Sequence, residues 1–203
     1  MVRVTDLPEW VRALQPTAPD VVAVWMAIDD GAMAFRRTLR HGGGAGSAGR
    51  VLAQQEAVAD ALEEVLRAMP DDLLRAPGGE EDWNVAQAFA HTTGARRWLA
   101  HAAALAARGA WPDDEPVVTP GIPGPADADR ELLLTLLGKS RRSMAQSAAT
   151  IAGHETDPCP LSHPLLGRLR CGEWLLWVGA HDLMHLEQLH RLLDASRAGG
   201  ADD

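Results

Sequence analysis

Residues 171–196 constrain the fold more than any other stretch of the chain. Trp174, Trp177, Val178, Met184, Gln188, Leu189 and Leu192 recur at spacings of three and four, the period of one face of an α-helix. His181 and His185, the ends of the run His181-Asp182-Leu183-Met184-His185, fall in the same stripe. Each helical residue advances about 100°, so residues four apart lie about 40° apart, one turn above each other. Two imidazoles therefore occupy positions that should face a core. Burying a polar ring costs free energy unless it finds a partner, so the rest of the chain must satisfy both. A single metal ion can do this, and so can hydrogen bonds.

The other elements are helical as well. Val51, Gln55, Val58, Leu62, Val65 and Met69 form one face of a helix that stops at Met69-Pro70, since proline cannot continue it. A polar loop follows, from Asp71 to Asp82. Asn84 and Gln87 then have capping-box spacing, with Trp83 placed to staple across them. They open a helix running to Gly109, with Ala88, His91, Thr92, Ala95, Trp98, Leu99 and Ala102 inward. The Pro/Gly-rich stretch Trp111 to Pro125 is long enough to cross a bundle. Asp127 is placed to cap a third helix with Leu133, Leu136, Leu137, Met144 and Ile151 inward. His154 to Arg170, with Pro158, Pro160 and Pro164, reads as irregular. The last helix opens near Cys171, where Glu173 suits the positive end of the dipole. It ends near Ser196, and residues 197–203 read as a frayed end. No segment alternates with the period of a strand. The expected fold class is all-α: a four-helix bundle with long crossover loops and an additional N-terminal helical segment.

That segment occupies residues 1–49. Asp6 and Pro8 are placed to open a short helix. Val21, Val24, Trp25, Ile28, Ala32, Phe35 and Leu39 continue at helical spacing from Asp20 as one helix. Gly42 to Gly49 reads as a flexible connection. The chain thus divides into an N-terminal extension with a Gly-rich linker, residues 1–49, and a bundle, residues 50–203. Deleting residues 1–41 is expected to leave a site in the bundle intact.

Charge and composition exclude several classes of function. A formal charge of −9 at pH 7 argues against a nucleic-acid partner, which requires a basic surface. No apolar run reaches membrane-spanning length, because Asp29 and Asp30 interrupt the apolar residues 21–28. No signal peptide is visible in the first twenty residues, so a cytoplasmic location is expected. The two cysteines, Cys159 and Cys171, make no disulfide framework.

A third inward histidine strengthens the metal reading of the pair. His91 lies about ten ångströms into its helix, and His185 about fifteen from one end of the last helix and about twenty from the other. The depths are compatible for either helix direction. Of the remaining histidines, His190 is about 180° from His181 and should face solvent. His101 is about 80° from His91 and two to three turns away, while His41, His154 and His163 fall in loops. Cys159 with His163 makes a Cys-x₃-His pair with no second pair. His181-Asp182-x-x-His185 is similar to the zinc-protease pattern with Asp for Glu. Asp182 is therefore a candidate general base with a shorter reach, or else a residue facing outward. Glu187-x-x-His190 matches half of a di-iron motif, on the wrong face. Gln55, Glu56 and Gln188 are candidates for orienting groups in the core.

Asp82-Trp83-Asn84-x-x-Gln87-x-x-x-His91, followed by His163-Pro164-x-x-Gly167, Glu173-Trp174 and His181-Asp182-x-x-His185-x-x-Gln188-Leu189, resembles the DinB/YfiT-like superfamily of metal-dependent enzymes. The resemblance covers about residues 50–195. It implies a four-helix bundle with one divalent metal on three histidines, which carries over to His91, His181 and His185. It also implies a homodimer and thiol-dependent chemistry: transferases, isomerases or hydrolases acting with mycothiol or bacillithiol.

Three neutral imidazoles with an open fourth position describe a catalytic rather than a structural site. The expectation is an enzyme acting on a small molecule, in which zinc or nickel activates water or a low-molecular-weight thiol. The alternative is a bundle that holds a metal or small ligand without turnover. The two separate on whether the fourth position is open or sealed by Trp174, Trp177 or Met184.

Overall fold

The computed structural model describes residues 7–78, 83–113 and 121–199. Among the described residues seven α-helices form: α1 (Glu9–Leu14), α2 (Pro19–Met26), α3 (Ala32–Gly42), α4 (Ala48–Ala68), α5 (Val85–Ala107), α6 (Arg130–Ile151) and α7 (Cys171–Gly199). Two short strands, β1 (Pro158–His163) and β2 (Gly167–Arg170), pair antiparallel between α6 and α7. None of the described helices is long and apolar enough to cross a membrane.

The four long helices make the bundle. α4 packs against α6 and α7, and α5 packs against the same two, so α4 and α5 face each other across a diagonal. The α4 stripe is buried as its spacing predicts, from Val51 through Gln55, Val58, Leu62 and Val65, with Met69 just beyond the helix. Asn84 and Gln87 complete the capping box of α5, each side chain bonding the other's backbone N–H. The third cap is corrected: Asp129, not Asp127, accepts from the Leu132 N–H at 2.8 Å and opens α6.

Three further expectations change. First, residues 158–170 form a hairpin rather than an irregular stretch. Burial alternates along β1, with Cys159, Leu161 and His163 inside, but prolines at Pro158 and Pro160 hide that period, since proline is unusual in a strand. Secondly, the pattern from Asp20 to His41 is two helices, parted at Asp29-Asp30-Gly31, where Gly31 has φ +91°, a conformation suited to glycine. Thirdly, the first two glycines of the expected flexible connection, Gly42 and Gly43, are packed, while Gly46 and Gly49 have open space where a Cβ would lie. A Cβ at Gly43 would lie 2.6 Å from the Gly172 carbonyl oxygen and one at Gly42 2.6 Å from Leu176, so the segment lies against the start of α7.

The N-terminal helices pack onto the bundle. α2 lies on α7 and α4, and α3 lies on α7. Gln54 of α4 accepts from the Asp20 and Val21 N–H groups at 2.8 and 3.1 Å, capping α2 from outside. A Cβ at Gly179 would stand 2.8 Å from Val21 and from Gln55, so this glycine sets the approach of α2 and α4 to α7. The expected cap at Asp6, the Asp82 of the family pattern, residues 114–120 of the crossover and the tail from 200 onward lie outside the described residues.

Candidate metal centre

The first turns of α5 and the middle of α7 bring His91, His181 and His185 together. Each offers one ligand atom, and these atoms all lie within 4.8 Å of one another. The rings meet edge to face: 5.6 Å between centroids for His91 and His181, 5.3 Å for His91 and His185, and 4.7 Å for His181 and His185. Crossed planes let several nitrogens converge on one point. Stacked planes would not.

The surroundings decide which nitrogens are free. His91 Nδ1 lies 3.1 Å from the Ile122 carbonyl oxygen. A carbonyl only accepts, so Nδ1 carries the proton and Nε2 keeps its lone pair. His185 Nδ1 lies 3.1 Å from Gln188 Oε1, and the Gln188 amide N–H₂ donates in turn to the Gly78 carbonyl. That relay fixes the tautomer of His185 in the same way, with the proton on Nδ1. His181 differs: its Nδ1 is buried without a hydrogen-bond partner. Burial holds its pKa well below the ordinary value, and His185, His91, His163 and Arg96 add repulsion. A neutral ring with an orphaned buried nitrogen, set among three imidazole ligand atoms within 4.8 Å of one another, fits a divalent cation.

Glycines bring the supporting loops close. A Cβ at Gly121 would lie 2.8 Å from the Trp83 ring and 3.2 Å from His91. A Cβ at Gly124 would collide with Ala90. Both let the end of the crossover lie along α5 and present the Ile122 carbonyl to His91. On the other side Trp177 packs edge to face on His181, with centroids 6.2 Å apart, and His163 packs on Trp177 at 4.8 Å. His91 and His181 are half-buried and His185 is buried.

Asp182 does not face outward. It is fully buried and ion-paired with Arg96, itself fully buried on α5. Burial pushes the carboxyl up to about 7, and the guanidinium offsets only part of that rise. Arg96 had no place in the sequence pattern, whereas Trp98, expected inside, is 43% exposed. Met184 also leaves the predicted stripe. Gln55 and Gln188 are buried in the core as expected, but Glu56 turns out to Arg141 at 2.8 Å.

The remaining histidines settle differently. His190 is not solvated but half-buried and stacked on Trp10, with centroids 5.3 Å apart and planes 10° apart. His163 ends β1 rather than sitting in a loop, and its Nδ1 accepts from the Leu165 and Leu166 N–H groups at 3.1 and 3.2 Å. Its lone pair is therefore spent, and burial lowers its pKa to about 4. Burial likewise pushes the free thiols of Cys159 and Cys171 up to about 11 and about 12, against any thiolate site in the hairpin.

A family profile described as the DinB superfamily matches residues 54–189, from α4 into α7. Neither a curated protein nor a solved structure gives a significant match to the chain.

Proposed function

The chain belongs to the DinB superfamily, and from that premise we propose that it is a metal-dependent enzyme with one divalent ion, zinc or nickel, on His91, His181 and His185. The observation that carries this is the convergence of three ligand atoms within 4.8 Å, two of them on rings whose other nitrogen is engaged by an oxygen. We further propose a small-molecule substrate and a mycothiol- or bacillithiol-type thiol, or water, as the attacking group. Transferase, isomerase and hydrolase activities all fall within that class. A homodimer in the cytoplasm, with residues 1–49 as an extension of the bundle, completes the proposal.

A divalent ion at this position supplies Lewis acidity, polarising a carbonyl or acidifying a thiol or water. The chain's own groups do the rest. Ile122 and Gln188 hold His91 and His185 in the tautomer that offers Nε2. Trp177 and Trp83 flank the cluster and exclude water from two sides. A set of three ligands favours turnover over mere binding, because structural sites are closed by a fourth protein ligand. Among the described residues no carboxylate or thiol joins the three histidines.

The test is metal analysis of protein purified without a histidine tag or chelator, followed by conjugation of an electrophilic dye with and without a low-molecular-weight thiol. One ion per chain and thiol-dependent turnover that vanishes in His91→Ala are expected. Failure to retain or take up any divalent ion would sink the proposal. Retained metal without thiol dependence would move the reading to hydrolysis.

A further inference from the structure

We infer that Arg96 and Asp182 are positioning residues of the three-histidine centre, holding the α5 ligand at a fixed distance from the two on α7; this rests on the metal reading above. Arg96 lies five residues after His91, and Asp182 immediately follows His181. The pair therefore bridges the same two helices that carry the ligands, about one turn from them. Both side chains are fully buried.

The bridge reaches a third helix. Arg96 Nη1 donates to Asp182 Oδ2 and, at 3.4 Å, to Gln55 Oε1, while Nη2 donates to the Gln55 carbonyl at 3.3 Å. The Gln55 amide donates to the Leu175 carbonyl at 2.9 Å. One guanidinium thus spans the diagonal from α5 to α4 and ties both to α7.

Stability alone does not account for this arrangement. Replacing a buried ion pair with apolar side chains of similar volume is often neutral or stabilising. This pair also leaves Arg96 Nε and Asp182 Oδ1 buried without partners, each of which is unfavourable. Apolar side chains at these positions would hold the helices together equally well. They would not fix direction, whereas one guanidinium whose Nη1 meets both Asp182 and Gln55 and whose Nη2 meets the Gln55 carbonyl is held from two other helices at once. Three ligands on two helices converge only if those helices keep their register.

The experiment compares the full-length wild type with the double variant Arg96→Met/Asp182→Leu. Metal-free thermal melts read stability, and cobalt(II) titration followed by visible absorption and calorimetry reads the site. The double variant is expected to melt no lower than wild type, yet to bind cobalt at least about tenfold more weakly, as when groups orienting metal ligands are lost, with a changed absorption band. A stable double variant with wild-type affinity and band would overturn the inference. Should the double variant not fold, Arg96→Lys carries the same test. It keeps the charge but loses the fork, so wild-type affinity and band in that variant would also overturn it. Wild type that takes up no cobalt contradicts the metal reading itself, a result separable from the other two.

Discussion

Gln188 determines which nitrogen of His185 can meet a ligand. Its Oε1 accepts from the Nδ1–H at 3.1 Å while its amide donates to the Gly78 carbonyl, so the proton stays on Nδ1. Gln188→Leu keeps the volume and removes the acceptor, so divalent metal affinity should fall about 10- to 100-fold. Calorimetry with zinc checks this, and unchanged affinity would show that the relay does not orient the ring. His163 makes a second prediction at this scale. Burial depresses its folded-state pKa to about 4 from an unfolded value near 6.5. The stability it contributes is complete above the unfolded pKa and is lost as pH falls toward the folded one, because the unfolded chain then binds the extra proton. The loss is roughly 3 kcal/mol at about 1.4 per pH unit. His163→Asn keeps an acceptor for the Leu165 and Leu166 amides, so its urea stability should fall less between pH 7 and 4.5; parallel losses would contradict the assignment. The three clustered histidines were legible because their spacing put polar rings in an apolar stripe. Arg96 and Asp182 were not. The first ten residues of α7 are buried all round, so no outer face existed for the periodicity to contrast with, and a residue one position from a ligand could be buried too.

At the scale of elements, the stretch before the bundle was the least legible. Its apolar spacing continues smoothly across Gly31, and only the positive φ there divides α2 from α3. A run of glycines reads as flexible in sequence, yet Gly42 and Gly43 serve close packing against α7. This packing reverses the expectation for deletion of residues 1–41. Val21, Val22 and Val24 are fully or almost fully buried, Phe35 packs edge to face on Trp177 at 5.3 Å, and Trp177 in turn packs on His181. Deletion would uncover α7 at Gly179 and remove the Phe35 contact from Trp177, the residue that packs on His181. The truncated chain should melt lower and bind metal more weakly than the full chain, and equal melting temperature and affinity would restore the simpler picture of an independent extension. Gly179→Ala tests the same contact more gently. An added Cβ meets Val21 and Gln55 at 2.8 Å, so about 1–3 kcal/mol of stability should be lost through overpacking, read by urea unfolding.

For the whole molecule, the architecture followed from periodicity and caps: four long helices, a boxed start to α5 and a proline stop to α4 are local signals. Their diagonal arrangement, with α4 opposite α5, was not, because long loops permit several circuits of a bundle. The arrangement matters because α5 and α7 are neighbours, and only neighbours can share three ligands at these depths. The central claim is that this circuit exists to assemble one metal centre from His91, His181 and His185. Zinc calorimetry on metal-stripped, tag-free protein tests it most directly, with the wild type beside His91→Ala, His181→Ala and His185→Ala. One ion per wild-type chain, with binding sharply weakened in each variant while the variants remain folded, is the result expected here. Wild-type binding in all three variants, or none in the wild type, would contradict it.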